Sequence, residues 1–288
     1  MIYLVFAIIF SSLIFITFKL FDAFNIDNLQ AIVTNYVIAG ILCILSAGSS
    51  WNIIRIIQAP WFGMAIVLGI LFIVVFYIFA ESSQRSGVAL TAVVSKMTVI
   101  IPILVGVIFY GEQINVLKIA GILCALLAFS LVLRKEGEKS KLRFALIWLP
   151  LILFIGAGFN DTLMKHCEKL YGLKGDEIFL FLSVVFLSTL FIGGTSISWK
   201  YVKYRKKIKV KNIYGGIALG LLNVGSTYFM FKSFALFESI VFFPVFNVGV
   251  VTISALTGLI AFKERLSLIN WIGVIASIAS ILLIAFGQ

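Results

Sequence analysis

Ten stretches of this 288-residue chain, each 15 to 27 residues long, contain no aspartate, glutamate, lysine or arginine. They run 1–18, 28–54, 56–80, 97–111, 119–133, 144–160, 178–199, 212–231, 239–262 and 266–288. A helix needs about 20 apolar residues to cross a hydrocarbon core about 30 Å thick. The shorter stretches reach that length past a flanking charge, whose long stem carries its head to the membrane surface. Hydrophobic residues make up 62% of the chain and charged ones 12%, more apolar surface than a soluble domain of this size can bury. The expectation is ten transmembrane helices, near 2–19, 29–47, 61–80, 88–110, 115–133, 144–165, 178–198, 213–232, 239–262 and 268–286. A β-barrel is excluded, because its strands would alternate apolar and polar residues. The first span lacks a basic leader region and runs straight into the second, so it reads as a helix and not as a cleaved signal. The longest polar loop is near 199–212, which leaves the activity inside the bilayer.

The chain is also written twice. Sliding 87–133 onto 239–285 at an offset of 152 pairs Gly106 with Gly258, Glu112 with Glu264 and Gly121 with Gly273. The preceding helix matches at 151, pairing Gly69 with Gly220, Leu71 with Leu222, Tyr77 with Tyr228 and Ser82 with Ser233. The reading is a five-span repeat over 1–133, a basic linker over 134–143 and a second five-span repeat over 144–288. Five is odd, so the second repeat enters the membrane inverted. Membrane chains with internal repeats are most simply read as transporters.

Net charge is +11. In a membrane chain this reflects the preference of lysine and arginine for cytoplasmic loops, and no nucleic-acid partner is expected. With both termini cytoplasmic, the outer loops would carry 16 of the 23 basic residues and the inner loops 6. The count therefore puts the termini outside and the 134–143 and 199–211 segments in the cytoplasm. The loop over 198–211 interleaves aromatics with seven cations and reads as a surface facing lipid headgroups. Cys43, Cys124, Cys167 and His166 have no metal-ligand spacing, and neighbouring His166 and Cys167 point to different helix faces. No metal, cofactor or catalytic residue is expected. No GxxxxGK[ST] segment is present, which excludes ATP-driven transport within this chain.

Lys96 is the sharpest single signal. It lies eight residues into the fourth span, about 12 Å deep at 1.5 Å per residue. An ammonium left in lipid there costs at least about 2.5–3.5 kcal/mol, so it needs a partner or a water-filled cavity. Two readings stand open: it binds an anionic substrate group or titrates as a coupling site, or it is a structural charge satisfied by helix-end carbonyls or Asp161. Ser95 and Lys96 align with Asn247 and Val248. Pro102 and Pro244 fall inside spans four and nine and free the carbonyls of Thr98 and Ile240. Kinked helices beside polar residues are what a mid-membrane site uses. The two prolines are not strict equivalents, since Pro244 aligns with Ala92. The candidate substrate-binding set is Lys96, Ser95, Asn247, Asn223, Tyr77, Tyr228 and Asn160. Asp161 is the coupling candidate, with an ion pair to Lys165 as its alternative.

Spans five and ten share a small-residue stripe, Gly121, Ala125 and Ala128 against Gly273, Ser277 and Ser280. Small residues at this spacing let helices approach closely, as a support layer or as the face of a homodimer. Glu112 and Glu264 sit where each would suit the N-terminus of the helix that follows it.

The segments YGEQINVLKIAGILCALLAFSLVL (110–133) and FKERLSLINWIGVIASIASILLIAFG (262–287) resemble the EamA-type branch of the drug/metabolite transporter superfamily. The likeness lies in the "GE" or "KE" pair, the short turn and the glycine-started helix. It covers spans three to five and eight to ten, and is weaker for spans one, two, six and seven, where Lys19 and Lys165 correspond. The resemblance implies two inverted five-helix repeats around a central cavity lined by spans one, three, four, six, eight and nine. It implies secondary transport, often export, of amino acids, metabolites or drugs. Members commonly have cytoplasmic termini, against the charge count here. The expected function is a permease for a small, anionic or amino-acid-like metabolite in the cell membrane (the inner membrane of a bacterium). It would work by alternating access, with protons or another ion as coupling partner. A lipid-headgroup flippase or a non-transporting membrane partner is the alternative.

Overall fold

A computed structural model describes residues 1–86, 94–132, 148–203, 209–262 and 267–287. The linker 134–143, Glu264, residues 88–93 of the fourth expected span and 204–208 of the basic loop lie outside the described residues, as do the side chains of Lys19 and Ser277. The described chain is helical, without strands. Its elements are α1 (Ile2–Ala23), α2 (Asn28–Ala47), the short α3 (Ile53–Gln58), α4 (Phe62–Ser86), α5 (Ile100–Tyr110), α6 (Val116–Val132), α7 (Trp148–Tyr171), α8 (Asp176–Lys203), α9 (Val210–Phe234), α10 (Ser239–Phe262) and α11 (Leu268–Phe286). Among the described residues six segments are long and apolar enough to cross a membrane. They are Asn28–Ser50, Phe62–Phe79, Asp176–Thr195, Val210–Phe234, Ser239–Ile260 and Leu268–Phe286. Ile2–Phe18, Val94–Tyr110 and Val116–Ala128 are shorter apolar helices.

The helices gather into two compact units that are not the two halves of the sequence. One holds Met1–Ile73 and His166–Ala235, the other Val74–Lys165 and Leu236–Gln288. Each draws helices from both halves.

In the first unit α9 packs against both α1 and α2, and α2 also packs on α8. Glycines make this possible. A Cβ at Gly216 would lie 2.6 Å from the Ala31 carbonyl oxygen, and one at Gly220 3.0 Å from that of Asn35, so one glycine stripe of α9 meets the backbone of α2. Gly225 receives the ring of Phe10 from α1. Gly69 of α4 does for α8 what Gly220 does for α2. Its Cβ would lie 2.8 Å from Val185 O, and Thr189 Oγ1 donates to Gly69 O at 3.0 Å. The core between these contacts is aromatic, with Phe21, Phe181, Phe186, Phe231 and Phe234 fully buried. Gly216→Ala is expected to lower stability by about 1–3 kcal/mol, because a backbone oxygen cannot step aside. Gly63→Ala, which meets nothing within 4 Å, should not lower it. Melting of the two variants in detergent checks the difference.

In the second unit α6 and α11 lie antiparallel. Asn115 accepts from Lys118 N at the start of α6 and its Nδ2 donates to Gly287 O at 2.7 Å. At the opposite end Asn270, in the capping box of α11, donates to Leu131 O at 3.0 Å. Between these ties run the small residues. A Cβ at Gly121 would lie 2.5 Å from Ile284 Cγ1, Ser280 Oγ donates to Gly121 O at 2.8 Å, and Ala125 and Ala128 are fully buried. The stripe read from the sequence is thus packed within one chain. α10 lies against α5, α6 and α11.

The turn after α5 explains the Gly-Glu pair. Gly111 takes φ 65°, a left-handed helix end that glycine adopts without strain. Glu112 then reaches the start of α10, where Oε1 accepts from Ser239 N and Oε2 from Ile240 N, both at 2.9 Å. The expectation that Glu112 serves the following helix is therefore corrected. It caps α10, from the other half of the sequence. A side chain at Gly106 would collide with the Glu112 carboxylate, so Gly106 leaves the room it fills.

Candidate functional site

The second unit holds most of the candidate residues. The segment before α5 is helical over 94–97, turns at Thr98 and Val99, and resumes at Ile100. Pro102 has no N–H to give to Thr98 O, and that carbonyl accepts from Ile101 N at 3.0 Å instead. Thr98 Oγ1 returns to Ser95 O at 2.9 Å. The expected break is present, and Ser95 and Lys96 stand in the turn just before it. α10 runs unbroken through Pro244, so the second proline does not repeat the break.

Lys96 Nζ donates to Asn247 Oδ1 at 3.3 Å, and Asn247 Nδ2 donates to Phe243 O at 3.1 Å. Asp161 is the carboxylate that acts electrostatically on Lys96. The approach of α7 to α5 that brings it there uses Gly158, whose missing side chain makes way for Ile101. Lys165, expected as an ion-pair partner of Asp161, donates to Phe237 O at 2.9 Å. Asn160, 8% exposed, gives Nδ2 to Met164 Sδ at 3.9 Å, while its buried Oδ1 has no hydrogen-bond partner. A half-buried ammonium, a carboxylate, the amide of Asn247 and the carbonyls of a broken helix therefore occupy one region of an apolar bundle, with the buried amide of Asn160 next to Asp161 in sequence. Such a set offers donors and acceptors to a small polar or charged solute.

The other candidates stand elsewhere. Tyr77 is 68% exposed on α4 and does not join the Lys96 group. Its repeat equivalent Tyr228, in the first unit, stacks on Phe179 with centroids 4.6 Å apart and carries Lys232 Nζ 5.6 Å from its ring centre. Asn223, also in the first unit, donates to Asn35 Oδ1 at 3.1 Å. Ser11 and Ser226 share a hydrogen bond of 2.6 Å nearby in the same bundle. The sequence reading missed Lys118. It is 5% exposed and donates to Gln113 O at 2.7 Å and to Glu238 Oε2 at 3.3 Å, beside the Glu112 cap. Its position just after a charge-rich turn hid it among ordinary surface lysines.

No family model matches the chain. An uncharacterized protein of Haemophilus influenzae is 27% identical over 286 residues, spanning 96% of this chain and 95% of its own length. A protein of known crystal structure superposes with a TM-score of 0.81 at 12% identity, over 99% of this chain and 96% of its own. At that identity the likeness is one of fold. The several long apolar helices are those of a membrane protein.

Proposed function

We propose that the chain is a secondary transporter for a small polar or anionic metabolite, working by alternating access in the cell membrane. It would be built as two inverted five-helix repeats of the EamA type. The observation that carries the reading is the Lys96 group. A charge at mid-span is costly and marks a substrate or ion path more often than a structural need. Its position beside a proline-broken helix is the arrangement transporters use for midplane sites.

Two further observations support the ten-span inverted repeat. The first is parity. Residues 24–30 meet 209–212, with six expected spans between them. Ser50 and Arg55 meet Asp176 and Glu177 across four, Asn115 meets Gly287 across six, and Lys165 meets Phe237 across two. Every count is even, as required when both partners lie on one membrane face. The second is self-contact. Cys124 Sγ donates to Ala276 O, its own repeat equivalent, at 3.3 Å, and Lys96 meets the equivalent of its neighbour Ser95. Residues touch their own equivalents only close to a twofold axis.

The test is a thermal-shift screen of the purified protein against amino acids, organic acids, phosphorylated metabolites and nucleosides, with Lys96→Ala alongside. A ligand at 100 times its Kd should add about 2.7 kcal/mol of stability to the wild type. The expected result is a shift from one class that Lys96→Ala abolishes. Failure of every class to shift the wild type, together with no uptake of any of them into proteoliposomes, would defeat the reading.

A further inference from the structure

We infer that the first unit carries a site for one membrane phospholipid, with an acyl chain in a groove between α3, α4 and α8 and the phosphate at Arg55. The groove has a volume of about 640 Å³ and is walled by Ile56, Ile57, Phe62, Leu187 and Phe191 among others. That is the size of a small-molecule site, about 300–1,000 Å³. Its floor on α8 spans Ser183 to Ile192. At 1.5 Å per residue this is about 10–24 Å from the start of that helix, which is hydrocarbon depth. An apolar groove open to the outside at this depth faces acyl chains and not water.

The other face of α3 differs. Asn52, Ile54, Arg55 and Gln58 border a second hollow of about 580 Å³ with Ser49 and Ser50. α3 therefore has an apolar side over the groove and, Ile54 apart, a polar side beyond it, the pattern of a helix lying in the membrane interface. The charges suit a zwitterionic headgroup. Arg55 is only loosely paired, with Nη2 3.9 Å from Glu177 Oε1, and Ser50 Oγ donates to Asp176 Oδ2 at 2.8 Å. A phosphate can take the guanidinium while an amine takes the two acids. Trp51 lines the groove, and its buried Nε1 has no acceptor in the protein.

The experiment uses the full chain in nanodiscs containing a phosphoethanolamine lipid with a diazirine at the end of one acyl chain. After illumination, peptides covering 51–66 and 183–192 are expected to carry several-fold more label than the exposed faces of α6 and α11 around Leu127 and Ile275. Ile57→Trp, which fills the groove from an exposed position, should remove that excess and leave the α6 and α11 labelling unchanged. Arg55→Gln should reduce it. Even labelling of all exposed faces, an excess that survives Ile57→Trp, or groove peptides cross-linked to a second copy of the chain would overturn the proposal. The transporter reading does not enter the outcome.

Discussion

Replacing Glu112 by alanine should lower the stability of the protein by about 2–4 kcal/mol, among the largest losses open to a single side chain here. The carboxylate is 7% exposed and satisfies two backbone donors that α10 cannot satisfy itself. Hydrogen bonds to a charged group contribute about 1.5–3 kcal/mol each, and a buried donor stripped of its acceptor adds a further penalty. The negative charge also faces the positive end of the α10 dipole. Glu112→Gln retains one acceptor oxygen and should recover about half of the loss. Glu112→Asp is too short by one methylene and should recover little. Gly106→Ala supplies the independent check, because its methyl would push against the same carboxylate. If displacement of Glu112 is what harms Gly106→Ala, the double variant should melt close to Glu112→Ala alone. Melting of Glu112→Ala within about 0.5 kcal/mol of wild type would mean that water or a neighbour caps α10 equally well.

Much of this arrangement is written in local pattern. Helix positions follow from the charge-free stretches because apolar length and flanking charge act along the chain. The break at Thr98 is legible for the same reason, since Pro102 acts on a carbonyl four residues back. Glu112 shows where such reading stops. Its sequence neighbours offer α6 as the helix to cap, while its true partners lie 127 and 128 residues away. A repeat reveals which residues are equivalent but not which ones touch, so the mixing of the two halves within each compact unit had no local signal. Tyr77 and Tyr228 make the same point, as equivalents with unlike surroundings. Gly216 and Gly220 carry, at a spacing of four, the same small-residue signal as Gly121 and Ala125 of α6. Asn35 and Asn223 are both polar residues in apolar spans, but nothing in the sequence joins them.

Lys96 and Asp161 are expected to fail singly and recover jointly in stability, without recovering function. Lys96→Met removes the cation that faces the Asp161 carboxylate, and Asp161→Leu removes the carboxylate that faces the ammonium. Breaking a fully buried pair by removing one partner costs about 3–5 kcal/mol, because the remaining charge is stranded, and the cost is smaller where, as here, both partners are half-buried. Replacing both partners by apolar residues of similar size is often neutral or stabilising. The double variant Lys96→Met/Asp161→Leu should therefore melt at or above the wild type, with a coupling of about 1–3 kcal/mol between the sites. A structural pair and a functional pair behave alike up to this point, and ligand response separates them. If the charges exist to bind or couple, the stable double variant loses the thermal shift and the uptake that the wild type shows. If they exist only to fix the fold, the double variant keeps both. Additive single effects would show that the residues do not act as a pair, and Lys96 would then have to draw its compensation from Asn247 and the freed carbonyls of the broken helix.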